Sequence, residues 1–372
     1  MSPVRSLVAD RVRIPFRRPF ATASGMWVER EAWILRLVDE DGRVGLGEAV
    51  LAPADGEVAE TILTALVRET VEGAARGLPT LVDLEMHGAP GRALAAAVAS
   101  AEADLDPRTS ANDEDDEGIG VNATLPSLGP AAAGEAAQQA VESGFVTLKV
   151  KAGAERETEV LVERVRAIRA AVGPDVALRL DVNGAWDLAT ATDRLEAIAR
   201  FDIEFVEQPL AAHDVDGMAE LRRRVSVPIA ADEAATSVRE VRGLLDAEAA
   251  DVIVVKPVRV GGPGAVAEIA TLAGEVGVPI VISTLFETGI GIAAALAIAG
   301  RLPDVATERW PDPLDHGLAT AGLLEHDLLV RSLIVEDGRM RAPGGDGTGN
   351  LGVNLDAAAL GRFRVDSVGA NG

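Results

Sequence analysis

Residues 145–182 read FVTLKVKAGAERETEVLVERVRAIRAAVGPDVALRLDV, and their grammar decides the fold. An apolar, β-branched run ends in Lys149 and Lys151. A stretch with apolar residues at three- and four-residue spacing follows, and a second apolar run then ends at Asp181. The reading is strand, helix, strand. The same unit recurs in both directions. Upstream lies GVNATL (120–125); downstream lie IEFVEQP (203–209), PIAADE (228–233), DVIVVKP (251–257), PIVIST (279–284) and VATERW (305–310). With the two strands of the opening stretch these make eight candidates, the first seven followed by helical text, which predicts a (β/α)8 barrel of about 200 residues. An open, doubly wound sheet competes with this, but no G-x-G-x-x-G follows a strand.

Outside the barrel the text changes. Residues 4–16 and 28–49 are expected to form antiparallel strands, with a hairpin at Asp39–Gly42. Between them FATASGMWVE (20–29) is expected to be a loop with Met26 and Trp27 at its tip, either a plain connection or a lid. Helices are expected at Glu57–Gly77 and about Gly91–Asp104. The run of five acids from Asp113 to Glu117 reads as a solvated linker. The expected division is a capping α+β domain over 1–118, a barrel over 119–322, and a C-terminal segment, 323–372, packing back on the cap. GGDGTGNLG (344–352) neither follows a barrel strand nor opens a helix, so it reads as a plain loop.

Composition excludes several classes of function. The 372 residues carry a formal charge of −24 and show no basic stripe, so nucleic acid is not an expected partner. No apolar run is long enough to span a membrane. The N-terminal text lacks the apolar core of a secretory signal, and there is no cysteine, so a cytoplasmic location is expected. Any bound metal must use oxygen or imidazole. The acidic surface fits either a salt-rich cytoplasm or an arginine-rich proteome, and melting in low against molar KCl separates the two. Oligomeric state has no signature here.

The chemistry sits at the strand ends. The chain has three lysines against 32 arginines, and all three lysines close apolar strand-like runs, where an ammonium is costly without a task. Lys149 and Lys151 are two apart and share a strand face. Asp181, Glu207, Asp232 and Lys256 follow at intervals of 26, 25 and 24 residues, about one βα unit each. Three carboxylates therefore converge at the C-terminal mouth of the barrel, where active residues of this fold lie. Unpaired they would repel, and a divalent cation relieves this; an all-oxygen set suits Mg²⁺, with Mn²⁺ as a substitute. A lysine working as a base near neutral pH needs its pKa lowered from about 10.4 toward 7–8, and a neighbouring ammonium pushes that way. Metal and lysines together suit removal of a proton α to the carboxylate of a small-molecule substrate. Asn183, Glu233, Ser283 and Thr284 also fall at strand ends. Asn183, Ser283 and Thr284 are candidates to bind substrate, with Thr22 and Trp27 from the cap. Arg179, two residues before Asp181, reads as a charge partner in the barrel core. Single acids at strand ends can also be inward ion pairs. The four histidines show no metal-ligand spacing.

TLKVKAG, RLDVNGAW, FVEQPL, PIAADEA, VIVVKP and ISTLFETGIG, in this order and pitch, resemble the muconate-lactonising subgroup of the enolase superfamily. The resemblance spans nearly the whole chain. It implies a modified barrel under an α+β cap, with Asp181, Glu207 and Asp232 as Mg²⁺ ligands. It further implies Lys151 and Lys256 as the acid/base pair, Lys149 as helper to Lys151, and the FATASGMW loop (20–27) as a lid that helps set specificity. VNATLP and HGLATAGLL are most similar to the o-succinylbenzoate synthase branch, which implies a syn dehydration. N-succinylamino acid racemases and muconate cycloisomerases share the lysines and stay open as alternatives. Dipeptide epimerases usually carry Asp-x-Asp where this chain has ATERWP. A Schiff-base lyase using Lys256 and a non-catalytic metal-binding relative are the alternatives from other classes.

Overall fold

The computed structural model describes residues 4–22, 25–74, 77–106, 118–343 and 349–369; the acidic run falls outside these. Strands β1 (Val4–Thr22), β2 (Gly25–Asp39) and β3 (Val44–Ala49) form an antiparallel sheet. Helices α1 (Gly56–Gly73), α2 (Leu81–Leu84) and α3 (Ala89–Leu105) follow, and α3 packs on β3. Glycine permits that contact: a Cβ at Gly45 or Gly47 would stand 2.1 or 2.0 Å from the carbonyl oxygens of Ala101 and Ala97. Within the expected loop at 20–29 the described residues, 20–22 and 25–29, are instead strand. The β1–β2 ladder continues through Phe20↔Trp27 to Thr22↔Gly25, and Trp27 is buried while Met26 is exposed.

After β4 (Ile119–Gly120) comes a seven-stranded parallel sheet. Its strands are β5 (Ala123–Leu125), β6 (Thr147–Lys151), β7 (Ala177–Asp181), β8 (Ile203–Glu207), β9 (Ile229–Ala231), β10 (Val252–Val255) and β11 (Ile280–Ile282). The helices between them are α4 (Pro130–Glu142), α5 (Thr158–Val172), α6 (Leu188–Ile198), α7 (Val215–Arg224), α8 (Val238–Asp246), and α9 (Pro257–Val260) with α10 (Pro263–Glu275). Helix α11 (Gly289–Ala299) follows β11. Strand alternation sorts the side chains: Leu148, Val150, Leu178 and Leu180 face the helices in the main core. A second, smaller cluster with Phe205, Val252, Val254 and Val281 lies on the other face.

The eighth strand candidate is a correction. Among the described residues VATERW is not strand. The ring is joined instead by His316 and Gly317, which bridge in parallel to Val121 and Ser283, on either side of the seam. Asn122 N donates to His316 O at 2.9 Å and Gly317 N to Ile282 O at 2.8 Å. The architecture is a modified (β/α)8 barrel whose closing element is two residues long. The chain after the barrel divides its contacts. Strand β12 (Ile334–Glu336) pairs with β13 (Arg339–Arg341), which pairs with β4, whereas β14 (Arg364–Val368), which follows α12 (Ala357–Phe363), pairs with β1 of the cap. Thus only part of 323–372 returns to the cap.

Buried His316 carries the seam. Its Nδ1 accepts the Ile282 amide at 3.0 Å, so that nitrogen bears no proton. Burial and the nearby Arg179 guanidinium push its pKa down to about 4. The unfolded imidazole protonates near pH 6.5, so between the two values the unfolded state binds more protons and stability falls as pH falls. This component should reach about 3 kcal/mol when fully developed. In urea titrations at pH 7 and 4.5, His316→Gln should narrow the stability difference between the two pH values relative to the parent; an unchanged difference would refute the assignment.

Candidate active site

The strands deliver their terminal side chains to one place. Lys149 and Lys151 point inward from β6, Asp181 ends β7, Glu207 ends β8, Asp232 follows β9 and Lys256 follows β10. All are buried or nearly so. Lys149 Nζ stands 3.1 Å from both Glu207 oxygens and 3.1 Å from Asp181 Oδ2. Lys151 Nζ reaches Asp181 Oδ2 at 2.5 Å and Asn183 Oδ1 at 3.1 Å. Lys256 Nζ lies 2.5 Å from Asp232. The side chains singled out in the sequence are thus in contact, as three acids interleaved with three ammoniums. Arg179 is not part of this cluster. It bonds Glu204 at 2.5 Å and lies over the Phe205 ring, so the acids' partners are the lysines.

Electrostatics separates the three acids. Burial would raise Asp181, but Lys151 and Lys149 outweigh it and hold the carboxyl well below the usual range. Asp232 is also lowered: burial opposes, while Lys256 and a hydrogen bond from Glu207 prevail. Glu207 goes the other way, pushed up to about 8 by burial and by Asp181. For Lys149 burial favours the neutral amine, but Glu207, Asp181 and Asp232 more than reverse this and its pKa is raised. Lys256 is likewise raised, with Asp232 overcoming burial.

Among the described residues no three Asp, Glu or His side chains already stand grouped as a metal would hold them. Lysine ammoniums lie between the acids instead. The donor chemistry nevertheless fits a hard divalent cation: three buried carboxylates, no sulfur, and an Asp181 Oδ1 that is buried without a hydrogen-bond partner. The carboxylates would hold the ion, and it would take over the counter-charge now given by the lysines.

The cluster floors a cavity of about 170 Å³. Its walls include Thr124, Asn183, Ser283 and Thr284 from the barrel, and Trp27, Ala52 and Asp55 from the cap. Asn183, Ser283, Thr284 and Trp27 therefore reach the mouth. Thr22 closes β1, and its side chain lies outside the described residues. Sequence reasoning missed several contributors. Gln208, directly after Glu207, accepts the amides of Asp232 at 3.0 Å and Ala234 at 3.1 Å and so sets the acid-bearing turn. Glu233, which the sequence already places at a strand end, receives Asn183 Nδ2 at 2.8 Å. Phe286, Gly317 and Thr320 also line the cavity. The adjacency of Gln208 to Glu207 was the one signal that could have flagged it.

The model of the enolase C-terminal domain-like family matches residues 132–359, more than half of the chain. The chain belongs to that family. Among enolase-like relatives, the o-succinylbenzoate synthase of Thermobifida fusca is 45% identical over 211 residues, 56% of this chain and 62% of that protein. The o-succinylbenzoate synthase of Mycobacterium tuberculosis H37Rv is 37% identical over 214 residues, 56% and 60% of the two chains. The match thus spans under two thirds of either relative's length. The muconate lactonizing enzyme of Pseudomonas fluorescens, solved with muconolactone, superposes with a TM-score of 0.83 at 26% identity, covering 98% and 99% of the two chains. A dipeptide epimerase of Enterococcus faecalis, solved with Mg and a dipeptide, gives 0.77 at 25% identity over 95% and 99%.

The raised Glu207 has a direct readout. In metal-free protein the protonated-carboxyl infrared band absent from Glu207→Gln should fade as pH rises through about 8. A band that has already vanished by pH 6 would contradict the described electrostatics.

Proposed function

We propose that this chain is a lyase that removes a proton α to a substrate carboxylate and expels water, forming o-succinylbenzoate on the route to menaquinone in the cytoplasm. The carrying observation is the 45% identity over 211 residues to a named o-succinylbenzoate synthase. The lysine and acid geometry supports the same reading.

Lys151 is the base in this proposal. Its Nζ takes the α-proton as the C–H bond breaks, and returns it to the hydroxyl whose C–O bond breaks as the ring double bond forms. One group serves both transfers, so proton and hydroxyl leave from the same face. Lys149, on the same strand face, keeps a second positive charge beside it. Lys256, on β10's end, presents its ammonium from the other side and stabilises the anion as it develops. Asp181, Glu207 and Asp232 would hold Mg²⁺, or Mn²⁺ in its place, and the ion would supply positive charge beside the substrate carboxylate as the α-proton leaves. Asn183, Ser283, Thr284 and Trp27 orient a small-molecule carboxylate, and the buried floor excludes water from it.

Two outcomes are expected. Lys151→Ala and Lys256→Ala should each lower turnover of the cyclohexadiene carboxylate precursor by about 10²–10⁴-fold, with the fold retained by circular dichroism. EDTA should abolish turnover and added Mg²⁺ restore it; full activity after chelation would end the proposal. A parallel assay on N-succinyl amino acids in deuterated water tests the racemase alternative, since solvent deuterium at the α-carbon would expose racemisation without net product.

A further inference from the structure

The cap sends one buried carboxylate into the barrel. Glu48, near the end of β3, is 5% exposed and spends its oxygens on residues about 240 positions away. It accepts Thr288 N at 3.0 and 3.1 Å, Thr288 Oγ1 at 2.7 Å and Gly291 N at 2.9 Å. These are the unsatisfied donors that open α11. Glycine makes room for the approach: a Cβ at Gly291 would lie 2.6 Å from Glu287 Cβ and 3.0 Å from Glu48 Oε2.

The turn thus clamped is the mouth's wall. Ser283, Thr284, Leu285 and Phe286 line the cavity and lead directly into α11. Phe286 has φ +59°, a left-handed conformation that an aromatic residue holds only where its surroundings over-determine it. Its ring meets Trp27 edge-on at 5.2 Å and Phe16 at 5.7 Å, both from the cap. Arg30 of β2 lies 5.1 Å over Trp27 and donates to Leu51 O at 2.7 Å and to Leu285 O at 3.4 Å. No hydrogen bond of this network involves the three lysines or Asp181, Glu207 and Asp232.

We propose that Glu48 is a positioning residue: by fastening the start of α11 to the cap it holds the Phe286 wall in place and so sets affinity for the non-reacting part of the substrate. The selectivity half of this rests on the dehydratase reading; the clamp does not. Because the lysines are on other strands, loosening the wall weakens binding while leaving proton transfer intact. Such a loss falls on KM.

The test uses the full chain and the Glu48→Gln variant, which keeps the shape but replaces one acceptor oxygen with a donor. Amide hydrogen exchange across 283–291 should quicken by about tenfold or more, with β6 and β10 unchanged. KM for the precursor should rise by about tenfold while kcat stays within about twofold. Phe286→Leu should give a similar KM shift, and the double variant should be no worse than Phe286→Leu alone. Unchanged exchange at 283–291 overturns the clamp. A fall in kcat at constant KM, or additive effects in the double variant, overturns the role in selectivity. A parent protein inert toward the precursor refutes the dehydratase reading and with it the selectivity role, while exchange still decides the clamp. Should Glu48→Gln not fold, Gly291→Ala, which crowds the same carboxylate, takes its place in both measurements.

Discussion

Everything at the mouth of this barrel follows from one electrostatic constraint. Three acids and three amines are held in a volume from which water is largely removed, and neither set is tolerable without the other. Lys149 is the hub, touching Asp181 and both oxygens of Glu207. Remove the amines and two or three carboxylates would face one another in a medium of low polarity. Remove the acids and three ammoniums would be buried bare. The parallel sheet satisfies the constraint by its pitch. Each strand ends level with its neighbour, so Lys151 pairs in register with Asp181 and Asp181 with Glu207.

The same constraint ties every member of the cluster to the others. In ion pairing with lysine, the carboxylates hold Lys149 and Lys256 charged, and Glu207 is driven toward its neutral form. A cation that claims the carboxylates removes the lysines' counter-ions and changes the balance at every member at once. A group of charges this tightly shared behaves as one titrating unit. Gln208 and Asn183 keep the geometry fixed while charge moves: both have positive φ, at 42° and 51°, and both use their amide groups to brace acid-bearing turns.

Much of this was legible in the chain. A lysine at the end of an apolar strand run is expensive, so the three lysines announced a site, and the even spacing of Asp181, Glu207 and Asp232 placed them on adjacent strands. The βα alternation gave the barrel. What failed had physical reasons. VATERW has β-branched residues, but Pro303, Pro311 and Pro313 flank it and no sheet edge claims it. The true closing element, His316–Gly317, is too short to show any periodicity. Residues 20–22 and 25–27 looked like a loop because small residues hide a ladder whose bonds are all main chain. Glu48 sits in the text GLGEA, where alternation alone cannot tell a solvent-facing acid from one buried against a helix that begins 240 residues later.

The two-residue closure gives this barrel an uneven rim. Seven strands are welded to their neighbours by continuous ladders, whereas the eighth position is stitched by isolated bridges at His316 and Gly317. Thr124, Ser283, Gly317 and Thr320 stand around that stitch and also line the cavity. Insertions or replacements in 300–320 can therefore reshape one side of the cavity while the strands that carry the lysines keep their register. That side of the wall is mechanically separate from the strands that carry the lysines.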